Sequence, residues 1–368
     1  MVDAESSQHD EAAGPDDLLH GLVEHLEHGA AIPELLDLLS LAAQLRDFAR
    51  VEVLTRVRCA DSDFPLIAIC FGPDDPTAPV LALTGGVHGL ERIGTRIVVS
   101  YLRTLMELAR WDRVTQSMLR STRIVMLPLV NPVGMFLRRR ANGNGVDLMR
   151  NSPVRADGLD RWQLFGGHRI SPRLPWYQGP TDAPMEPEAR ALCRFIRREV
   201  FMASHAISID VHSGYGKVDR LWFPYAKTRE PFPQLAEVVA LKHLLDRTYP
   251  HHVYCVEPQS RQYLSHGDLW DYLYDEFRDQ RPDGHFLPFT LELGSWLWVK
   301  KNWRQIFSRL GAFNPWLPHR EQRALRRHTM LFDFLFRALQ SPELWTGLAD
   351  SRRAHLQDHG LRSWFDVP

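Results

Sequence analysis

The sequence lacks several features that would assign it to a class of protein at once. Its 368 residues include only 4 cysteines, which are far apart and form no CxxC pair, so neither a disulfide framework nor a cysteine zinc site is expected. No apolar run approaches the roughly twenty residues needed to span a bilayer. The segment MVDAESSQHDEAAGPDD at the N-terminus is acidic and has neither the basic start nor the apolar core of a signal peptide. We therefore expect a cytoplasmic protein without a membrane partner.

Neither sign of charge is in excess. There are 44 Lys and Arg residues and 45 Asp and Glu residues, so the formal net charge is -1 and no overall field favours nucleic acid. The GxSxG motif of serine hydrolases and the GxxxxGK[ST] loop of nucleotide-binding proteins are both absent. Gly143-Asn144-Gly145 lacks the last glycine of a dinucleotide-binding fingerprint. These absences disfavour nucleic-acid binding, serine hydrolysis and nucleotide binding.

Apolar runs of strand length alternate with amphipathic stretches over most of the chain, and no internal repeat is present. The predicted strands are residues 51–57, 65–71, 79–84, 122–130, 206–211 and 287–293. The predicted helices are two segments within residues 17–50 that Pro33 divides, and residues 90–109, 187–201, 234–247 and 316–339. This alternation predicts a three-layer α/β/α fold with a mixed, mainly parallel central sheet.

The composition also predicts how the chain is divided. Residues 17–340 are predicted to form a single domain, because strands and helices alternate through them. Residues 1–16 are acidic and polar and are predicted to be a disordered tail. Residues 341–368, rich in Arg, His and Asp, are predicted to be a C-terminal tail. The Gly-, Asn-, Pro- and Arg-rich segment 134–179 predicts a long loop, and such loops are usually functional.

Two histidines and a glutamate stand where predicted strands end. His88 and Glu91 follow the run PVLALT and a Gly-Gly turn, and their spacing of three places both side chains on one side of a turn. The pair alone is a weak indication, since HxxE also occurs at exposed helix starts. His212 ends another apolar run, in SIDVHSGYG, although a histidine there can also be structural. Because the chemistry of such sheets gathers at the carboxyl ends of the strands, the three residues suggest a zinc site with one position open for water.

Glu292 lies in the apolar run FTLELGSW. Carboxylates are rarely fully buried without a partner, so this one is expected to face a polar cavity at the strand end. An ion pair with an arginine is the alternative.

Taken together and in their order along the chain, these segments resemble the M14 family of zinc carboxypeptidases. The resemblance runs from about Val80 to Leu293. GGVHGLE resembles the HxxE ligand motif of that family, DVHSG its third-ligand strand, and TLELG its catalytic glutamate strand. NPVG resembles its NPDG turn, GVDLMRN its GVDxNRN segment and GDLWDY its GxxxDW-like segment. The joint occurrence is far more specific than any one motif.

The resemblance implies roles for individual residues. His88, Glu91 and His212 would bind one zinc ion per chain, and Glu292 would act as general base and then as general acid. Asp147 would orient His88, a role that imidazole ligands generally need filled.

The resemblance also implies residues that bind the substrate. Arg139 or Arg140 would polarise the scissile carbonyl, and the motif leaves open which of them does so. Arg150 would bind the terminal carboxylate of the substrate. Tyr263 resembles the family's mobile tyrosine that closes over the substrate, and Trp270 falls at the specificity-pocket position.

One position departs from the family pattern. Met149 replaces the asparagine that normally precedes the carboxylate-binding arginine, and a thioether cannot donate a hydrogen bond. Asn142 or Asn151 is the candidate to assist Arg150 in its place.

The function implied is zinc-dependent hydrolysis of an amide bond in a peptide or N-acyl amino acid with a free carboxylate. A metallocarboxypeptidase, favoured by Glu292 and Tyr263, is the main interpretation. A small-molecule N-acyl amino acid deacylase of the aspartoacylase or desuccinylase type is the alternative, favoured by Met149. A non-catalytic zinc-binding module would predict loss of a ligand or of the base, yet all four residues are present.

Overall fold

A computed structural model describes residues 32–45, 48–159 and 164–365. Within these residues, eight strands form one sheet in the order β1-β2-β4-β3-β5-β8-β6-β7. Their bounds are β1 Arg50–Cys59, β2 Ser62–Phe71, β3 Val80–Gly85, β4 Arg123–Leu127, β5 His205–Ser213, β6 Arg220–Phe223, β7 Cys255–Pro258 and β8 His285–Leu293. The central pairs β4-β3, β3-β5 and β5-β8 are parallel, whereas β1-β2, β2-β4 and β6-β8 are antiparallel. The predicted mixed, mainly parallel sheet is confirmed.

Helices cover both faces of this sheet. Their bounds are α1 Pro33–Gln44, α2 Arg92–Trp111, α3 Arg113–Met118, α4 Pro132–Phe136, α5 Pro187–Val200, α6 Leu235–Thr248, α7 Leu269–Gln280, α8 Trp296–Lys301, α9 Pro318–Ala338 and α10 Asp350–Trp364. One layer contains α2 with α1 and α9, and the other contains α5 with α7; α2 and α5 both contact β3. Every residue of β3 is buried, which explains why this strand is an uninterrupted apolar run.

Several predicted elements differ from the observed ones in extent. β4 ends at Leu127, where its pairing with β3 ends and Pro128 follows, three residues before the predicted end. The short strands β6 and β7 were not predicted, because four residues are too few to show a periodic pattern. The helix α7 was missed, although its buried residues Leu269, Leu273 and Phe277 recur at helical spacing. The predicted helix before Pro33 and the predicted disordered tail at 1–16 lie outside the described residues.

The prediction of a tail after residue 340 is wrong for most of that segment, since α10 packs against α6. Gly360 lies so close to α6 that a Cβ atom would be 2.8 Å from Cγ of Leu235. Arg353 forms an ion pair with the buried carboxylate of Glu237. A polar composition did not reveal this helix, because one narrow apolar face is enough to attach it.

None of the described helices combines the length and apolar character needed to span a membrane.

Candidate metal and active site

Glycines allow tight packing of the turn that follows β3. Gly86 has φ +65°, and a Cβ atom there would lie 2.3 Å from Oγ1 of Thr95. At Gly89 a Cβ atom would lie 2.0 Å from the carbonyl carbon of Gly134 in α4. The HxxE segment is therefore held against two neighbouring elements, a packing that only glycine permits.

The three predicted ligands meet at the carboxyl ends of β3 and β5. Nδ1 of His88 lies 2.9 Å from Oε1 of Glu91, and Nδ1 of His212 lies 3.1 Å from Oε2 of the same carboxylate. The two Nδ1 atoms lie 3.1 Å apart. All three side chains are buried, and their ligand atoms lie within 4.8 Å of one another. Residues separated by about 120 positions in the sequence thus converge on one point.

The remaining ring nitrogens show that this point suits a cation. Nε2 of His88 lies 2.9 Å from Oδ1 of Asp147, and Nε2 of His212 lies 2.8 Å from Oδ2 of Asp210. Each Nε2–H therefore donates to a carboxylate, which turns both Nδ1 lone pairs towards each other and towards Glu91. Facing lone pairs repel unless a positive charge lies between them. Two imidazole nitrogens and a carboxylate are the donor set of a zinc site with an open position, so the residues fit zinc.

The electrostatic surroundings of His212 lead to the same conclusion. Burial alone lowers the pKa of this imidazole, but the carboxylates of Asp210 and Glu91 raise the pKa well above its ordinary value. The site therefore favours a positive charge beside these carboxylates.

Asp210 was missed by the sequence analysis. Its Oδ1 accepts a hydrogen bond from Oγ1 of Thr84 at 2.8 Å, and its Oδ2 accepts one from Nε1 of Trp270 at 3.0 Å in addition to that from His212. Asp210 is fully buried. Since it stands two residues before His212 on the same strand, both side chains lie on one face, and this alternation could have identified it.

Trp270 was predicted to line the specificity pocket, and this prediction is wrong. Its side chain is buried in the core, does not line the cavity, and supports Asp210 instead. The carboxylate of Asp268 accepts hydrogen bonds from the first amides of α7, and the helix begins with Trp270 turned inward.

Glu292 faces the cavity, as predicted. It is the partner of His212 in the β5-β8 register, and its Oε1 accepts a hydrogen bond from the backbone amide of Tyr215 at 2.9 Å. Burial, together with the charge of Glu91, raises the pKa of Glu292 to about 8.

The structure distinguishes the two candidate arginines of the loop. Arg140 lines the cavity, and its Nε donates to Oδ2 of Asp147 at 2.8 Å while its Nη1 lies 3.3 Å from Oε1 of Glu91. Arg139 is exposed and does not line the cavity. Only Arg140 therefore stands beside the candidate ligands.

Arg150 also lines the cavity, where it is 3% exposed. Its Nη1 donates to the carbonyl of Met149 at 3.1 Å, whereas its Nε has no hydrogen-bond partner among the residues that the structure describes. Its guanidinium carbon lies 5.9 Å from the ring centroid of Tyr263, which also lines the cavity. A buried cation with unused donors is suited to bind an anion.

Asn142 and Asn151 do not take the place of the missing asparagine. Nδ2 of Asn142 donates to Oε2 of Glu186 at 2.8 Å, and Nδ2 of Asn151 donates to the carbonyl of Gln178 at 2.9 Å. Both are buried and neither lines the cavity, so the substrate-binding prediction for Asn142 is corrected. The amides stabilise the folded loop instead, because turns rely on side-chain hydrogen bonds of this kind.

A second cluster of potential ligands lies away from this cavity. Glu52, Cys70 and Glu199 are close together, but Arg50 and Arg123 form ion pairs with Glu199. Burial raises the pKa of the Cys70 thiol to about 12. These groups form an ion-pair network in which the arginines already supply the positive charge.

The comparison with known proteins agrees with the zinc-binding geometry of the site. A family model described as zinc carboxypeptidase matches residues 56–296. The catalytic chain of human carboxypeptidase N is 29% identical over 175 residues, which cover 43% of this chain and 35% of that protein. Carboxypeptidase E of Caenorhabditis elegans is 36% identical over 167 residues, which cover 41% of this chain and 34% of that protein. The matched region is thus about a third of the length of these relatives.

Solved structures share the fold. Bovine thrombin-activatable fibrinolysis inhibitor, in complex with tick carboxypeptidase inhibitor, superposes with a TM-score of 0.56 at 15% identity, covering 96% of this chain and 98% of that one. Carboxypeptidase A of Helicoverpa armigera gives a TM-score of 0.52 at 17% identity, covering 80% and 72%. At these identities the likeness concerns the fold alone.

Proposed function

Because this chain belongs to the zinc carboxypeptidase family, we propose that it is a metallocarboxypeptidase that removes C-terminal residues from peptides. One observation carries the proposal: the His88, Glu91 and His212 cluster shares a cavity of about 690 Å³ with the buried guanidinium of Arg150. Such a cavity can hold an amide at the metal while an anionic substrate end is bound beside it.

The zinc ion, when bound, acts as a Lewis acid that lowers the pKa of water and polarises a carbonyl group. Glu292 takes the proton from the attacking water and passes it to the leaving amine. The amide of Tyr215 holds Oε1 of Glu292, so the proton is carried on Oε2.

Two arginines orient the substrate in this proposal. Arg140, held by Asp147 and Glu91, stabilises negative charge on the oxygen of the scissile carbonyl. Arg150 binds the terminal carboxylate through paired hydrogen bonds, and Tyr263 covers it.

Metal analysis of three proteins tests the proposal. We expect about one zinc ion per chain in the wild type, the same content in Glu292→Gln, and little in His212→Ala. Release of the C-terminal residue from a peptide should be lost in both variants. Full activity of the metal-free protein would refute the proposal.

A deacylase acting on N-acyl amino acids is the second candidate. It is supported by Met149, which lines the cavity where the family has an asparagine and offers no hydrogen-bond donor to a peptide terminus. Comparing hydrolysis of N-acyl amino acids with release from a peptide C-terminus separates the two functions.

We also propose that the protein acts in the cytoplasm. All four cysteines are free thiols, which supports a reducing environment. Fractionation of cells that produce the full-length protein would test this location.

A further inference from the structure

Part of the cavity wall is apolar and lies directly beside the metal ligands. It consists of Leu90, Trp296 and Phe313, which we call the apolar wall. Leu90 stands between the two ligands of the HxxE segment, and Trp296 is 39% exposed although it has a large aromatic side chain. Exposed aromatic surface at a cavity mouth is suited to bind an apolar group.

Specific contacts hold the apolar wall in place. Gly214, two residues after His212, has φ +123°, and a Cβ atom there would lie 2.8 Å from the ring of Phe313. Nε1 of Trp296 donates to the carbonyl of the same glycine at 2.8 Å. Nδ2 of Asn314 donates to the carbonyl of Leu90 at 2.8 Å. The side chains of Trp296 and Phe313 therefore lie against the backbone of Gly214, and Asn314 holds the backbone of Leu90, which makes the apolar wall a preformed surface.

The anion-binding part of the cavity is built from other residues. Arg150 contacts Met149 and Tyr263, and neither of these belongs to the apolar wall. A substrate with its carboxylate at Arg150 and its scissile amide at the metal extends its amino-side group away from that arginine. Leu90, Trp296 and Phe313 carry no charge, so contact with them stabilises an apolar substrate group by removing its surface from water.

We propose that the apolar wall binds the substrate group on the amino side of the scissile bond, and that this group is aromatic or bulky and aliphatic. The inference rests on the proposed function and narrows its substrates to those with a carboxylate at one end and an apolar group across the amide. Substrates with such a group should have a substantially higher kcat/KM than substrates without it, because a single methylene in a hydrophobic pocket already changes specificity by about tenfold or more.

Two peptides that differ only at this position provide the test. N-acetyl-Phe-X and N-acetyl-Gly-X share the same C-terminal residue X, and kcat/KM should be at least about tenfold higher for the phenylalanine peptide. Phe313→Ala should remove most of this preference by slowing the phenylalanine peptide alone, and Phe313→Leu should restore part of it. Trp303→Ala is the control, since Trp303 is 65% exposed and does not line the cavity.

A binding measurement separates this inference from the proposed function. Calorimetry on zinc-loaded Glu292→Gln gives the Kd of each peptide without turnover, and the phenylalanine peptide should bind at least about tenfold more tightly. That preference in binding, without hydrolysis by the wild type, would overturn the proposed function and support the apolar wall. Hydrolysis of both peptides at equal rates and with equal affinity would overturn the apolar wall alone. Binding of neither peptide, or equal effects of Phe313→Ala and Trp303→Ala, would also overturn it.

Discussion

Replacing Trp270 by phenylalanine removes one N–H group from the network behind His212 and keeps an aromatic ring in the core. The lost donor lies 3.0 Å from Oδ2 of Asp210, the oxygen that also accepts from Nε2 of His212. Asp210 keeps the hydroxyl of Thr84 as a partner for its other oxygen. The carboxylate thus loses one of three donors in a fully buried position, and its orientation towards His212 is less well defined.

Two magnitudes follow from this loss. A hydrogen bond to a charged group contributes about 1.5–3 kcal/mol, so the free energy of unfolding should fall by about that amount. Loss of groups that orient a metal-binding histidine typically weakens metal binding about 10- to 100-fold. In Trp270→Phe, His212 keeps its own hydrogen bond to Asp210, so we expect zinc affinity to fall about 10-fold. Asp210→Asn removes the charge, so we expect a fall of about 100-fold.

Zinc affinity measured by competition with a chelator is the decisive assay. Trp345→Phe is the matched control, because Nε1 of Trp345 also makes one buried hydrogen bond, to the carbonyl of Ala338 at 3.0 Å, away from the cavity. The control should lose stability but leave the Kd for zinc unchanged. The reasoning is refuted if Trp270→Phe leaves zinc binding intact, or if both variants weaken it equally.

Three further predictions concern other parts of the molecule. Arg140→Ala should lower kcat for peptide hydrolysis about 100-fold or more, whereas the exposed Arg139→Ala should change it little. Gly89→Ala should lower the free energy of unfolding by about 1–3 kcal/mol, because its Cβ atom would lie 2.0 Å from the carbonyl carbon of Gly134. Calorimetry should show a lower melting temperature, and an unchanged melting temperature would contradict this prediction. Burial lowers the pKa of His328 to about 4, so this histidine stays neutral in the folded protein while the unfolded chain takes up a proton below about pH 6.5. Stability should therefore be lost between about pH 6.5 and 4, by about 3 kcal/mol from this residue, and His328→Gln should show a flatter dependence of unfolding free energy on pH.

Residues at the ends of apolar runs were the most predictable. His88, Glu91, His212 and Glu292 follow or end runs whose strand character is evident from local sequence, and the carboxyl ends of parallel strands meet at one edge. The structure brings all four to one cavity. Their roles in the reaction remain predictions that the variants above address.

Residues in irregular segments were less predictable. Arg139 and Arg140 are adjacent, and only the path of the loop, where Arg138 has φ +53°, decides which side chain reaches the ligands. The side chain of Asn142 could bind a substrate or stabilise a turn. Its hydrogen bond to Glu186, 44 residues further along the chain, shows that it stabilises the folded loop. Such segments have no periodic pattern, so the sequence does not predict which way each side chain points.

By itself, the sequence determined the kinds of chemistry present: two histidines and two carboxylates at strand ends, an arginine-rich loop, and an alternation of strands and helices that specifies the layered fold. These properties depend on residues close together in the chain, so local patterns express them. Only the tertiary structure decided that both Nδ1 atoms face one point, that Trp270 supports Asp210 instead of contacting substrate, and that Leu90, Trp296 and Phe313 form one wall. Those outcomes depend on distances between segments far apart in sequence, which are set by strand register and helix packing.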